Sequence, residues 1–295
     1  MPGGFSANAR MKFLLPAALA ALLTVSGLSA APFPDDLKVG GFAVGCQAYT
    51  FNRFSIFEAI DKTASTGAKV IEFYPGQKLS LEEPTVKFSH DAPQEVWDKV
   101  KAKLAEKGLQ PVAYGVVGLS KDEAASRKVF EFAKFFGIRV INTESVDAID
   151  TFEPLVREYD IKVGFHDHPK RPDHPEYKMW DPEYVLSIVK DRDPRIGSCA
   201  DIGHWVRSGL KPLDCVRILK GRIMSSHMKD LDKPLPSGHD VLWGTGVSDV
   251  AAILDEYKVQ GFEGPISVEY EYNWENSVVD AAGCIGFVRG YGAKK

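Results

Sequence analysis

"RIMSSHMKD" (residues 222–230) opens as an apolar β-type run and closes on an imidazole, an ammonium and a carboxylate: His227, Lys229 and Asp230. A helical pattern, "VSDVAAILDEYKVQG", follows. A buried strand has no reason to finish in charge unless its end opens on a site. The same order recurs along the chain. "VGCQAYTF" (44–51), "AKVIEFYPG" (68–76), "QPVAYGVVG" (110–118) and "IRVINTES" (138–145) each lead to a helical stretch. So do "IKVGFHDHP" (161–169), "RIGSCADIGHW", "RIMSSHMKD" and "GPISVEYEYN" (264–273). Eight strand–helix units in succession predict a closed parallel (β/α)8 barrel, a TIM barrel in the α/β class, as a single domain over 31–295. An open doubly wound sheet would carry a glycine-rich phosphate turn after its first strand, and "TFNRFS" is not one.

Residues 1–30 stand apart. Arg10 and Lys12 precede the apolar "FLLPAALAALLTV", and the small residues of "SGLSAA" follow. That is the pattern of a secretory signal peptide, too short for a membrane span, and it predicts an exported, periplasmic protein. The whole chain carries a net charge of −4, and Arg10 and Lys12 are the only charged residues of the leader, so the remainder carries −6. An acidic chain without a basic run is a poor nucleic-acid binder. Cys46, Cys199, Cys215 and Cys284 lie far apart, without metal-type or redox spacing, and are expected to be free thiols.

Barrel strands alternate between lumen and helices, so their apolar members fix the phase. Ile71 and Phe73 outward put Glu72 inward; Ile141 outward puts Asn142 and Glu144 inward. Val163 and Phe165 outward put His166 and His168 inward, and Ile196 and Ala200 outward put Asp201 inward. Met224 and Met228 outward put His227 inward, with Lys229 beyond it at the rim; Ile266, Val268 and Tyr270 outward put Glu269 and Glu271 inward. Carboxylates converging in a low-dielectric mouth repel one another unless a cation joins them. Glu144, Asp201, His227 and Glu269 are therefore the expected ligands of one divalent metal. Three carboxylates and one nitrogen favour Mn²⁺, Mg²⁺ or Co²⁺ over a thiolate-type zinc site, with Mn²⁺ the first choice and a single Zn²⁺ still open.

Around this set, Glu72, His168, His204 and Glu271 are candidates for holding substrate, and Lys229 for polarising a carbonyl or pairing with Asp230 or Glu271. His166 is read as a buried, satisfied histidine. "WGTGVSD" is either an anion nest or a glycine turn with Ser248 as N-cap. Tyr74, Trp180, Trp205 and Trp243 are the aromatics expected at the mouth.

In "FYPGQKL", "FHDHP", "ADIGHWVRSGLKP", "GRIMSSHMKD", "WGTGV" and "SVEYEYNWEN" the chain resembles the xylose isomerase-like TIM barrels, the sugar phosphate isomerase/epimerase superfamily, in a branch found in exported bacterial proteins. The resemblance implies two glutamates, an aspartate and a histidine around a metal, with the glutamates as acid and base. It carries those roles onto Asp201, His227 and Glu269, with His204 beside them. Where the epimerases have a glutamate this chain has His166-Asp167-His168, which makes Glu144 the expected replacement, with a histidine of 166–168 as the alternative fourth ligand. The implied activity is isomerisation or epimerisation of a small-molecule keto-sugar, with Glu144, Glu269 and Lys229 as the catalytic groups. Elimination from a keto-glycoside is the alternative. A repair nuclease of the endonuclease IV type would want more histidines and a basic groove, and a sugar-binding barrel would not need the acid/base set. The resemblance leaves a homo-oligomer open.

Overall fold

The eight runs become eight strands: β1 Val44–Gln47, β2 Val70–Phe73, β3 Gln110–Tyr114, β4 Val140–Thr143, β5 Lys162–His166, β6 Ile196–Asp201, β7 Ile223–Met228 and β8 Ile266–Val268. They close in the order β1-β8-β7-β6-β5-β4-β3-β2. Every neighbour is parallel, and β1 is seated between β2 and β8. The computed structural model describes Gly3, Gly4 and residues 31–294. The segment read as a signal peptide falls, but for Gly3 and Gly4, outside them. Among the described residues no helix is long and apolar enough to cross a membrane.

The helices are α1 Ile56–Ser65, α2 Gln94–Lys107, α3 Glu123–Phe136, α4 Ile149–Tyr159, α5 Pro182–Val189, α6 Ile202–Arg207, α7 Pro212–Ile218, α8 Val250–Gln260 and α9 Val278–Ala293. Their ends are written locally. Ser55 starts α1 with a capping box: its hydroxyl accepts from Glu58 N, and Glu58 Oε2 accepts from Ser55 N. Gly137 and Gly261 stop α3 and α8 in the left-handed region, at φ 71° and 67°. The next residue's N–H reaches back to the last turn, from Ile138 to Ala133 O at 2.8 Å and from Phe262 to Tyr257 O at 2.9 Å. Such an ending stops the helix and delivers an apolar residue toward the following strand.

Between strands and helices lies the main core. Phe73, Phe88, Phe132 and Phe136 form one part of it, with Phe73–Phe88 centroids 5.0 Å apart and Phe132–Phe136 4.9 Å apart. Each buried ring contributes about 2 kcal/mol by removal from water. The four cysteines are free, as expected, and all are buried.

The lumen is different. Its floor is apolar, with Phe33 on Ala43, Val70 and Val112. Above it stands a hydrogen-bonded layer. Glu72 accepts from Asn142 Nδ2 at 2.7 Å and from Ser267 Oγ at 2.5 Å, and Asn142 Oδ1 accepts from Ser225 Oγ at 2.7 Å. One methionine departs from the alternation: Met224 joins Ala113 and Val140 in a small cluster of its own instead of packing on the helices. The β6–β7 register shifts between Ser198 and Cys199, and β7 therefore changes phase after Met224.

Candidate metal centre

Strands β5 to β8 each deliver one donor to a single point: His166 ends β5, Asp201 ends β6, His227 lies in β7, and Glu269 follows the last residue of β8. All four are buried, and their donor atoms lie within 4.8 Å of one another. Asp201 serves two purposes. Its Oδ1 accepts from His204 N at 2.8 Å and caps α6, while Oδ2 faces the other three residues. His227 is oriented from below, with Nε2 3.0 Å from Glu72 Oε1 and Nδ1 3.1 Å from Glu269 Oε2. A carboxylate behind a histidine in this way fixes the ring for a ligand on its other nitrogen. Glu72, a candidate either for orienting substrate or for bonding inside the barrel, makes its bonds within the barrel and positions the His227 ring.

The charges of the site are paired within it. Burial pulls the His166 and His227 pKa values down, but the carboxylates around them pull harder. His166 is raised to about 10 by Asp201 and Glu144, and His227 is raised well above its ordinary value, in part by Glu72 and Glu269. Burial alone would raise Asp201 and Glu269; Lys229 and His166 beside Asp201, and Lys229 and His227 beside Glu269, hold both below the ordinary carboxylate range. His166 Nε2 nevertheless has no hydrogen-bond partner and stops 3.6 Å from Asp201 Oδ2. An orphaned buried nitrogen, aimed at a carboxylate and ringed by three further donors, fits a divalent cation.

Lys229 is not at the rim. It is fully buried, with Nζ against Asp201 Oδ2 and 2.5 Å from Glu269 Oε2. Its stem runs over Gly203 of "DIGHW", where an added Cβ would come within 2.7 Å of Lys229 Cβ and Cδ. Asp230 does not pair with it. That carboxylate turns away and accepts from the N–H groups of Gly244, Gly246 and Ser248, each at 2.9 Å. The nest read in "WGTGVSD" is real, but the chain fills it with its own carboxylate, and the cap of α8 is Asp249 rather than Ser248.

Above the four donors opens a cavity of about 250 Å³, whose wall includes Tyr49, Tyr74, His166, His168, His204, Glu269 and Glu271. Tyr49 stands edge-on to Tyr74 at 5.2 Å and to Trp274 at 6.0 Å. Trp205 and Trp243, expected at the mouth, are core residues, and Trp180 lies under Lys170. Burial lowers the His204 pKa well below its ordinary value, so the ring is neutral. Its Nδ1 faces Arg207 Nη1 at 3.2 Å, which accepts no proton and leaves the ring's own on Nε2. Arg207 also holds Glu271 at 3.2 Å.

Glu144 departs from its expected place. It lies one residue beyond β4, outside both the four-donor set and the cavity wall, and turns to Nδ1 of His166 and of His168. Burial would raise its pKa, yet the two imidazoles bring it down to about 2. Its place in the set is taken by His166, which shares the inward phase of the other donors. Three residues escaped the sequence reading: Tyr49, Arg207, and Asp167, whose Oδ1 accepts from Asp201 N at 2.9 Å and so fixes that strand end. Outward phase hid Asp167, and a helical setting hid Arg207.

The family profile described as xylose isomerase-like TIM barrel matches residues 60–286. The chain belongs to that family. Among proteins of known structure, one of Parabacteroides distasonis described as uncharacterized is 31% identical; the match covers 84% of this chain and 98% of that one, at a TM-score of 0.67. The D-allulose 3-epimerase of a Methylomonas species, solved with D-allulose, is 16% identical over 84% of this chain and 96% of its own, at 0.63. The probable 3-DHS dehydratase of Bacillus anthracis is 16% identical over 82% and 97%, at 0.58. At such identities the last two share the fold. No curated protein matches the sequence.

Proposed function

We propose that this barrel is a metal-dependent isomerase or epimerase of a small keto-sugar. The observation that carries the reading is the set His166, Asp201, His227 and Glu269, from four successive strand ends, with one orphaned nitrogen under a sugar-sized cavity. A divalent cation held there would supply positive charge beside a substrate carbonyl and hydroxyl, which makes the neighbouring carbon more acidic. Two imidazoles and two carboxylates suit Mn²⁺, Co²⁺ or Zn²⁺ better than Mg²⁺. Glu269 lines the cavity as a carboxylate and takes the proton. Lys229 keeps it ionised, His204 offers its Nε2–H to a substrate oxygen, and Glu271, steadied by Arg207, accepts from a hydroxyl. Tyr49 and Tyr74 provide a face for the sugar ring.

The leader pattern in residues 1–30 supports export, and the nest already filled by Asp230 supports an unphosphorylated substrate. Elimination from a 3-keto-glycoside is the second reading. It is favoured by the Tyr49–Tyr74–Trp274 wall, which extends the apolar surface beyond one ring.

Proton NMR in D₂O of the metal-loaded protein with ketoses and 3-keto-glucosides, read after chelation of any paramagnetic metal, separates the two. Deuterium beside the carbonyl of an intact, rearranged sugar is the expected result, abolished in Glu269→Gln while sugar binding persists. Release of the aglycone with an enone signal would make the protein a lyase.

A further inference from the structure

The four-donor set leaves Glu144 without a task. Its carboxylate meets imidazoles: Oε1 contacts Nδ1 of His168 and stands 3.5 Å from Nδ1 of His166. Among the described residues no lysine or arginine forms a salt bridge with it. His166 lies between two carboxylates, Nδ1 at 3.5 Å from Glu144 and Nε2 at 3.6 Å from Asp201, and is close to neither. We infer that Glu144, His166 and His168 form a second cation site on the mouth side of the first, with the His166 ring common to both.

Three observations converge on this. The donor atoms of Glu144, His166 and His168 already lie within 4.8 Å of one another. Two nitrogens and one carboxylate oxygen are a composition that binds Zn²⁺ while leaving a coordination position open. The open side is provided for, since the His168 side chain is 38% exposed and lines the cavity. The site is also held in place: His168 N donates to Tyr177 Oη at 2.8 Å, and the His168 ring stacks on His204 at 5.2 Å. A carboxylate and two imidazoles sharing protons account less well for the same arrangement, because a single oxygen of Glu144 then receives both rings.

The expected occupant is a divalent cation that accepts imidazole, Zn²⁺ first and Co²⁺ as its spectroscopic counterpart. If both sites fill, the His166 ring gives its remaining N–H proton to solvent and ligates through both nitrogens. The inference rests on the inner centre through that one ring.

Equilibrium dialysis of the metal-free full-length chain against Zn²⁺, with metal content per chain measured by mass spectrometry, tests it. A Co²⁺ titration followed in the visible region runs alongside. Wild type is expected to hold two equivalents, and Glu144→Gln and His168→Asn one each, with melting temperatures showing that all are folded; part-exposed His168 can change without disturbing the core. One equivalent in wild type that survives both substitutions overturns the inference, as do two equivalents retained in both. One equivalent that is lost in Glu144→Gln and kept in Asp201→Asn overturns the inner centre and leaves the outer site standing. No bound metal in wild type overturns both.

Discussion

Val70 and Glu72 are two residues apart on β2 and both face the lumen, yet they belong to opposite ends of the barrel. Around Val70 the floor is apolar, closed by Phe33 on Ala43 and Val112, with the Arg139 guanidinium 4.1 Å over the Phe33 ring. Around Glu72 and above it, buried side chains are ionised or hydrogen-bonded. The floor contributes stability in proportion to the area it hides. The mouth contributes only as far as each charge has a partner, because a buried ion left alone costs more than a paired one returns.

The largest effect should come from breaking a pairing at the mouth. Lys229→Met leaves Asp201 and Glu269 side by side, and the metal-free chain should lose about 4 kcal/mol. Urea denaturation with and without Zn²⁺ should show the metal-free form weakened and the gap between the two forms widened. An equal loss in both would mean that Lys229 is only packing. At the floor, Phe33→Ala should cost about 3 kcal/mol by opening a cavity, with proton exchange into substrate unchanged. Loss of exchange would show that the two ends are not independent.

The smallest effect is expected at Asp193, just before β6. Burial would raise its pKa, but hydrogen bonds from Arg195 and Arg157, with the charge of Arg195, bring it from 3.8 to about 2. The folded value is the lower one, so the stabilisation is complete above about pH 4 and lost as pH falls toward 2. With solvent screening, Asp193→Asn should cost about 1 kcal/mol at pH 7 and only a small part of that at pH 2, where half of the folded carboxyl is already protonated, as read from denaturation at both values.

Alternation carried most of this architecture because a barrel strand has only two faces. It placed Asp201, His227 and Glu269 correctly in phase, and the helix-stopping glycines mark the boundaries between units. What alternation does not carry is depth. Glu72 faces inward like Glu269 but sits lower, and a lysine stem is long enough to draw Lys229 inward from beyond the strand. Glu144 and His166 share a phase as well; only the three-dimensional turn after β4 sends one to the outer set and the other to the inner. The register shift at Ser198 and Cys199, which moves Met224 inside, leaves no mark in the hydrophobic pattern. Asp230 reads as a partner for its neighbour Lys229, and its true partners are N–H groups that no sequence displays.

Lys229 has a last consequence, in the order of events. Where a metal is the first thing to reconcile converging carboxylates, the chain must meet it in order to fold, and whichever ion is on hand then is built in. Here an ammonium on the chain's own stem, routed over Gly203, already does that. Folding can finish first and loading follow, so the ion carried is chosen by what is supplied after the chain has folded rather than while it folds.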